Sequence, residues 1–272
     1  MMNEFLRLQV HRVYKKIKCL FLQECDENEL KLSAIFFSPH QDDETLGCGG
    51  TIIRKKRMGA EVKIVFMTDG CNSHPHLITK DVLKSIRATE ALAATKILGV
   101  EKKDVLFLEF ESRKLTQYQN AAIQRVTEIL LRYNPKEVFI PYYKEARPDH
   151  WVTNKIVIAA IRNLKKRVTI YEYPIWFWNH WPWVNVSVNF RLHNLKLLEN
   201  TFFSNLHFFT HFRCYVNIKE VLVLKRIALN KHESQMTRLI PDKRWATLND
   251  VSNGEFLKCF FQEHEIFYRY VL

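Results

Sequence analysis

Three short polar clusters contain the residue types that can do chemistry in this chain. The first reads His-Gln-Asp-Asp-Glu over residues 40–44, the second is Thr68-Asp69-Gly70, and the third is Arg147-Pro148-Asp149-His150. Each follows a run of apolar residues that predicts a buried strand. Ligands of open α/β sheets bind at the carboxyl ends of the strands, so we expect these clusters to lie together.

Two imidazoles and one carboxylate in these clusters make a possible set of metal ligands. His40, Asp43 and His150 would give the three protein ligands of a catalytic zinc site, which keeps a fourth position open for water. Asp42, next to Asp43 on a tight turn, would then be the carboxylate free to take a proton from that water. Pairs of aspartates are also common in helix caps and turns, so the spacing alone leaves a structural role open.

Strands alternate with helices over the first 173 residues. The predicted strands are Leu32–Ser38, Glu61–Thr68, Asp104–Leu108, Glu137–Pro141 and Val168–Tyr171. The predicted helices are Thr45–Met58, Val82–Leu98, Leu115–Tyr133 and Asn154–Leu164. This alternation predicts an α/β fold, with a mostly parallel sheet covered by helices on both faces. The pattern weakens beyond residue 173, where possible strands over 184–209 and a helix over 218–237 predict a C-terminal elaboration.

The first cluster and several later motifs resemble one family of zinc enzymes. Ser38-Pro39-His40-Gln41-Asp42-Asp43-Glu44 is similar to the signature of the LmbE-like, or PIG-L, N-acetylglucosaminyl deacetylases. Further matches, in family order, are Gly49-Gly50, Thr68-Asp69-Gly70, Arg87-x-x-Glu90, Leu98-Gly99-Val100, Pro148-Asp149-His150 and Ala228-x-x-x-His232-x-Ser234-Gln235. The resemblance implies a Rossmann-like α/β fold and zinc-dependent hydrolysis of the N-acetyl group of an amino sugar, with release of acetate.

The resemblance also implies roles by position. The residues that would hold one Zn²⁺ per chain are His40, Asp43 and His150. Asp42 would be the general base, and Arg87 matches an arginine that contacts the substrate in family members. Asp149 lies beside a ligand and is expected to orient His150 or its loop, as carboxylates behind metal ligands do.

The sequence departs from the family pattern at Arg147. Many members have a histidine three residues before the distal ligand, where it is thought to stabilise the tetrahedral oxyanion or to protonate the leaving amine. Arginine can stabilise an oxyanion by its charge, but it cannot donate a proton at neutral pH. We therefore expect a catalytic role for Arg147 at the oxyanion, with the acid role passing to another group. The candidates, which the sequence does not separate, are Asp42, Glu145, Tyr142 and Tyr143.

Other polar residues of these motifs have expected structural roles. Glu44 is expected to stabilise the first turn of the helix that follows the first cluster. His74 and His76 are interpreted as surface-loop histidines. His232 fits either a buried hydrogen bond or a substrate contact.

Composition, charge and the absence of certain motifs limit which other classes of function this chain can have. The chain has 272 residues, of which 47% are hydrophobic, the balance of a globular chain with a core. Its net charge of +12 is compatible with an anionic partner, but no nucleic-acid-binding motif is present. The His-Gln-Asp-Asp-Glu cluster also stands where a dinucleotide-binding oxidoreductase would have G-x-G-x-x-G. The six cysteines include no C-x-x-C pair, which is typical of free thiols in a reducing compartment.

The N-terminal segment is expected to be a separate element. Apolar residues recur there at spacings of three and four, among basic ones, at Leu6, Val10, Val13, Ile17 and Leu20. The pattern predicts an amphipathic helix within residues 1–30, and the resemblance implies that a single LmbE-like deacetylase domain follows over 31–272. The helix either packs on the domain or contacts an anionic membrane surface through residues 1–22. We expect a cytoplasmic protein, in the second case peripheral on the cytoplasmic membrane face.

A tryptophan-rich segment bears on the substrate. Four of the six tryptophans lie within residues 176–183. This cluster fits either a core or lid over the site, or a surface on which sugar rings stack. Together with the basic helix it favours a lipid-linked N-acetylhexosamine, while a soluble sugar conjugate stays open. The competing hypothesis, supported mainly by Arg147, is a catalytically impaired or repurposed sugar-binding protein.

Overall fold

The fold is built on one mixed sheet, seen in a computed structural model that describes residues 22–179 and 208–272. The eight strands within these residues are β1 (Gln23–Glu24), β2 (Ala34–Ser38), β3 (Val62–Thr68), β4 (Val105–Phe110), β5 (Glu137–Pro141), β6 (Thr169–Tyr173), β7 (Phe212–Asn217) and β8 (His264–Val271). Their order across the sheet is β1-β7-β8-β6-β5-β2-β3-β4. Strands β2 to β6 pair in parallel, whereas β8 is antiparallel to both β6 and β7.

Helices connect the strands. In the first part of the chain they are α1 (Glu27–Leu30), α2 (Asp43–Arg57), α3 (Lys80–Ile97), α4 (Gln119–Tyr133) and α5 (Pro148–Leu164). The C-terminal part adds α6 (Leu222–Leu229), α7 (Glu233–Met236) and α8 (Glu255–Phe260). Single turns of 3₁₀-helix are Lys102–Asp104, Leu115–Tyr118, Trp176–Asn179, Lys219–Val221 and Val251–Gly254. Within the described ranges, no helix is both long enough and apolar enough to cross a membrane.

Two apolar cores lie on opposite faces of the sheet. Successive residues of β2 point into them alternately, with Phe36 in one core and Ile35 and Phe37 in the other. Residues of α2 and α6 belong to the Phe36 core, and residues of α4 and α5 to the second. Because β2 is covered on both faces, it is a continuous apolar run rather than an alternating one.

The strand order changes direction at β2, and this positions the functional loops. From β2 the chain moves to β3 on one side, and it later returns to β5 on the other side. The loops that follow β2 and β5 therefore border a crevice at the carboxyl end of the sheet, where open α/β sheets bind ligands. The first of these loops carries His40, and the second leads into α5, which carries His150.

The predicted fold class is confirmed, although several boundaries differ. Helix α5 begins at Pro148 rather than at Asn154, because proline is well tolerated in a first helical turn. The helix predicted over 218–237 is interrupted after Leu229. Strand β7, which was not predicted, alternates buried and exposed residues, as a strand with one covered face does. Apart from their last residues, the predicted N-terminal helix and the possible strands of 184–209 lie outside the described residues.

Candidate metal centre

The turn between β2 and α2 places the first two ligand candidates. The backbone N–H of His40 donates to Asp43 Oδ2 at 3.0 Å. Asp43 is the first residue of α2, where the helix dipole favours a carboxylate. Between them, Asp42 has a φ of 142°, a backbone conformation that residues other than glycine rarely adopt. The chain thus turns sharply at Asp42, and the two adjacent aspartates contact different partners.

Three side chains from two loops meet at one point. His40 Nδ1 lies 3.2 Å from Asp43 Oδ2, and His150 Nε2 lies 3.4 Å from the same oxygen. Among the described residues, His40, Asp43 and His150 are the one group that could hold a metal ion, with ligand atoms all within 4.8 Å of one another. Ligands at about 2.0–2.1 Å from a tetrahedral zinc ion stand about 3.3 Å apart, close to the two measured separations.

His150 fits the role of a metal ligand because it lacks other partners. It is 0% exposed, and neither ring nitrogen has a hydrogen-bond partner among the described residues. Buried polar atoms are normally paired, so such an exception indicates a group that binds there. Burial lowers the pKa of His150 to about 4. The ring is therefore neutral at physiological pH, and its close approach to Asp43 is not an ion pair.

Asp149 contacts His40 rather than its neighbour His150. Its Oδ2 lies 3.1 Å from His40 Nε2 and accepts the backbone N–H of Arg113 at 2.6 Å. We expected Asp149 to orient His150 or its loop, and the structure instead brings it to the other histidine of the set. Burial opposes the charged form of His40, but the hydrogen bonds to Asp149 and Asp43 outweigh it and raise the pKa of His40 to about 9.

A second carboxylate, Glu145, lies behind His150. Its Oε2 is 3.8 Å from His150 Nδ1. The same carboxylate accepts the backbone N–H groups of Ile175, Trp176 and Phe177 at 2.7, 2.6 and 3.3 Å. Burial raises the pKa of Glu145 to about 8, although these three donors oppose the shift. Glu145 therefore joins the ligand on α5 to the backbone that follows β6.

Asp42 is paired with Arg87. Arg87 Nη2 lies 3.3 Å from Asp42 Oδ1 and donates to the carbonyl of Gln41, while Nη1 donates to the carbonyl of Gly70. Burial raises the pKa of Asp42 to about 7, with the Arg87 charge acting in the opposite direction. Arg87 is 3% exposed, and only its Nε lacks a partner among the described residues. Its contact with substrate stays a prediction, while the contacts present hold the turn and the Asp42 carboxylate.

Glu44 does more than stabilise the start of α2. Its Oε2 accepts the backbone N–H of Asp42 at 3.0 Å and lies 3.4 Å from Ser38 Oγ. Its Oε1 accepts the hydroxyl of Thr45 at 2.7 Å and lies 3.3 Å from His232 Nε2. Glu44 and His232 are both 0% exposed. Of the two roles considered for His232, the structure contains the buried hydrogen-bonding contact.

A family model matches the part of the chain that holds both ligand loops. Residues 35–161 match the model described as PIG-L: GlcNAc-PI de-N-acetylase. The chain belongs to the PIG-L family. It is the same family that the sequence motifs resemble, and it is one of metal-dependent carbohydrate de-N-acetylases.

Two relatives of this chain carry names that describe them as deacetylases. A probable N-acetyl-alpha-D-glucosaminyl L-malate deacetylase 2 of Bacillus anthracis is 30% identical over 154 residues, covering 53% of this chain and 66% of the relative. A 1D-myo-inositol 2-acetamido-2-deoxy-alpha-D-glucopyranoside deacetylase of Mycobacterium sp. (strain KMS) is 27% identical over 175 residues, covering 56% of this chain and 55% of the relative. The chain thus spans less than two thirds of the length of these relatives.

Solved structures share the fold at lower identity. N,N'-diacetylchitobiose deacetylase from Pyrococcus horikoshii has a TM-score of 0.63 at 22% identity, with 99% of this chain and 94% of that chain covered. A deacetylase of the teicoplanin biosynthetic pathway has a TM-score of 0.61 at 17% identity, covering 88% and 98%. GalB, a 4-carboxy-2-hydroxymuconate hydratase from Pseudomonas putida, has a TM-score of 0.56 at 16% identity, covering 84% and 83%. These similarities concern the fold alone, and the same fold is also found in a hydratase.

Arg147, where the chain departs from the PIG-L pattern, lies exposed at the N-cap of α5. Its guanidinium carbon is 4.5 Å from the centre of the Trp176 ring, which also stacks on Phe256 with ring centres 4.9 Å apart. The neighbouring Phe177 and Trp178 are buried. The described part of the tryptophan-rich segment is therefore packed within the protein, and residues 181 and 183 lie outside the described part.

One residue of the loop after β3, His74, is buried, although the sequence predicted that it lies at the surface. His74 is 4% exposed, its ring stacks on Trp245 with centres 4.1 Å apart, and its Nε2 lies 2.9 Å from the carbonyl oxygen of Ala246. The interpretation of His74 as a surface-loop histidine is therefore wrong, because a C-terminal segment distant in sequence covers it. Asp69 shapes the turn after β3, since its Oδ1 accepts the N–H groups of Cys71 and Ser112.

Proposed function

We propose that the protein hydrolyses the N-acetyl group of an N-acetylated amino sugar of the N-acetylglucosamine type and releases acetate. The observation that carries the proposal is the convergence of His40, Asp43 and His150 on one point, in a chain of the PIG-L family. Two imidazoles and one carboxylate, with a position left for substrate or water, are a common ligand set of catalytic zinc. We therefore propose one Zn²⁺ per chain.

The residues around these ligands have separate tasks in the proposed reaction. A bound zinc ion would polarise the acetyl carbonyl and lower the pKa of a water molecule. Asp42 is the carboxylate beside the ligands that is not one of them, and it accepts the proton of the attacking water. Arg87 orients the Asp42 carboxylate through their 3.3 Å contact. Asp149 fixes the ring of His40 through its hydrogen bond to Nε2.

Arg147 is assigned to the negative charge that develops on the carbonyl oxygen. It immediately precedes the helical turn that carries His150, and the Trp176 ring supports its guanidinium. Since arginine does not release a proton, the leaving amine takes its proton from another group. Asp42, after accepting a proton, and Glu145, behind His150, are the carboxyl candidates. Tyr142 is less suited because it is buried with its hydroxyl 2.7 Å from His211 Nδ1.

The function is tested with the purified chain and a panel of N-acetylhexosamine conjugates, both lipid-linked and soluble. Zinc-loaded protein should convert at least one of them to a product in which hydrogen replaces one acetyl group, detected by mass spectrometry. Elemental analysis should find about one zinc ion per chain, and His150→Ala should lose it. Wild-type protein that holds no transition metal, and gains no activity from added zinc, would contradict the proposal.

The basic N-terminal segment supports a lipid-linked substrate met at the cytoplasmic face of a membrane. Residues 1–22 should bind anionic vesicles at low salt and release as salt rises, because such attraction is screened within about 8–10 Å at physiological ionic strength. Deletion of residues 1–22 should weaken co-sedimentation and leave hydrolysis of a soluble analogue intact. Equal binding to neutral vesicles, or no binding, would remove this part of the proposal.

A sugar-binding protein without hydrolytic activity is the second candidate. Arg147 in place of the family's histidine favours it, and a shared fold does not by itself fix a reaction. It predicts that zinc-loaded protein binds an N-acetylated sugar in calorimetry but releases no acetate from any member of the panel. Acetate release that depends on Asp42 would exclude it.

A further inference from the structure

The turn between α6 and α7 lies next to the Asp42 loop and carries buried polar residues that the proposed reaction leaves unused. His232 is 0% exposed, and its Nε2 lies 3.3 Å from Glu44 Oε1 and 3.5 Å from Thr45 Oγ1. Ser234, two residues later, is also fully buried. Both belong to the C-terminal part of the chain, beyond the range 35–161 that matches the family model.

Through Glu44, His232 reaches the backbone of Asp42. Glu44 Oε2 accepts the Asp42 N–H at 3.0 Å. That amide belongs to a residue with a φ of 142° and a ψ of −29°, a conformation that persists only where its surroundings impose it. Ser38 Oγ and Thr45 Oγ1 complete the contacts of the carboxylate. With His232 removed, one oxygen of this buried carboxylate loses a polar neighbour, and the group can turn away from the Asp42 amide.

Through Ser234, the start of α7 is connected to the side chain of Asp42. Glu90 accepts the Ser234 N–H at 2.7 Å and the Ser234 hydroxyl at 2.6 Å. Glu90 lies three residues after Arg87 in α3, on the same face of the helix. Arg87 in turn lies 3.3 Å from Asp42 Oδ1. His232 at the α6–α7 turn therefore contacts the group that holds the Asp42 amide, and Ser234 at the start of α7 anchors the helix that holds the Asp42 carboxylate.

We propose that His232 is a positioning residue for Asp42: by holding Glu44 against the Asp42 amide, it fixes the strained backbone that aims the Asp42 carboxylate at the reacting water. The inference rests on the proposed function, in which Asp42 is the general base. It assigns a task in the reaction to a C-terminal segment that the family model does not cover. Misplacing a catalytic group by about 1 Å costs up to about 10²-fold in rate.

The test compares His232→Ala with His232→Gln in the zinc-loaded full chain. The measurements are hydrogen exchange of the Asp42 amide by NMR, bound zinc, and kcat and KM for acetate release. In His232→Ala we expect the amide to exchange at least about tenfold faster and kcat to fall by up to about 10²-fold, the cost of misplacing a catalytic group by about 1 Å. KM and bound zinc should stay within about twofold. His232→Gln keeps an N–H donor near Glu44 and should recover most of both losses.

Glu265→Gln, on strand β8, is the matched control, because Glu265 is a buried carboxylate that also accepts backbone N–H groups of α2. Glu265 accepts the N–H groups of Gly50 and Thr51 in α2 and pairs with Lys225 at 2.7 Å, in the same buried manner as Glu44. Since these contacts lie two turns beyond Asp42, this variant should lose stability but keep the slow exchange of the Asp42 amide and the wild-type kcat. If it matches His232→Ala in both, the effect is general loosening and the inference is wrong.

Two further outcomes distinguish a failure of this inference from a failure of the proposed function. If wild-type protein releases no acetate, the proposed function fails, and the exchange rate of the Asp42 amide in the His232 variants alone decides whether His232 holds it. If the wild type is active and His232→Ala exchanges no faster, the inference is overturned. Should His232→Ala not fold, His232→Asn replaces it, because its shorter side chain withdraws from Glu44 while a polar group stays in the buried site. The Asp42 amide should then exchange faster and kcat should fall with zinc retained; unchanged exchange and kcat would overturn the inference.

Discussion

His40 Nε2 lies 3.1 Å from Asp149 Oδ2, a contact between residues 109 positions apart in the chain. It leaves His40 Nδ1 facing Asp43 Oδ2, 3.2 Å away. A carboxylate behind a histidine ligand fixes the tautomer and the orientation of the ring, so that the other nitrogen presents its lone pair. Because Asp149 Oδ2 also accepts the backbone N–H of Arg113, the loop after β4 helps to hold the ring.

Asp149 variants should therefore change metal affinity. Asp149→Ala removes the acceptor for His40 and should weaken zinc binding about 10–100-fold, measured by competition with a chelator. Asp149→Asn keeps a carbonyl oxygen that can accept from both His40 and Arg113, so its loss should be clearly smaller. Equal zinc affinity in wild type and Asp149→Ala would show that His40 does not depend on this contact.

The local parts of the site could be predicted from the sequence. His40 and Asp43 are three residues apart after a buried strand, so one turn brings them together. His150 could be placed opposite them because parallel strands present their carboxyl ends at one edge. Both inferences need only the strand pattern and the polar clusters.

The long-range contacts could not be predicted in this way. Asp149 meets His40, Glu44 meets His232, and Trp245 covers His74, each through pairs far apart in sequence. Periodicity gives the buried face of an element but not the element that covers it. Strand β7 did carry a usable signal, the alternation Phe-Arg-Cys-Tyr-Val-Asn, which fits a strand with one solvated face.

Changing Asp42 and Asp43 in turn to asparagine should distinguish the role of each in catalysis and in zinc binding. Asp42→Asn removes the proton acceptor and nearly keeps the shape, so zinc should stay while kcat falls about 10²–10⁴-fold. Asp43→Asn removes a charged ligand and should release zinc. Bound zinc and kcat are measured on the same preparations. If Asp42→Asn loses zinc but recovers full activity when zinc is resupplied, the two roles are exchanged.

The glycines of α2 should differ in how they tolerate a methyl group, because the helix packs closely on its neighbours. A Cβ at Gly47 would overlap the ring of Tyr173, which is itself buried and donates a hydrogen bond from its hydroxyl to the carbonyl of Phe37. Gly47→Ala should therefore cost about 1–3 kcal/mol in the free energy of unfolding.

The matched control for Gly47→Ala is Gly49→Ala on the same helix. A Cβ there would meet the flexible side chain of Lys225 at 3.2 Å. The helix propensity of alanine, worth about 1 kcal/mol over glycine, should offset that contact. Urea denaturation gives both values from the shift of the midpoint. Equal midpoints for the two variants would contradict the close packing of Gly47 on Tyr173.

Arg147 stands where many family members have a histidine, and its guanidinium is 4.5 Å from the Trp176 ring. As water attacks the acetyl carbonyl, negative charge gathers on its oxygen, and removing one donor to such an oxygen typically costs about 10²–10³-fold in turnover. Arg147→Ala should therefore lower kcat by this amount with little change in bound zinc. Arg147→Lys should recover only part of it, because lysine lacks the planar fork and stacks less well on an aromatic ring.

Arg147→His then tests whether arginine is an alternative solution to the same task. A histidine there adds a group that titrates near neutral pH and can protonate the leaving amine. The variant should be active with a changed pH profile of kcat, since the acid role then moves to residue 147. Trp176→Leu, which removes the ring under the guanidinium, should lower kcat in the wild-type background but not in Arg147→Ala. An unchanged kcat in Arg147→Ala would show that this side chain only packs on Trp176 and takes no part in catalysis. Another group would then have to stabilise the oxyanion.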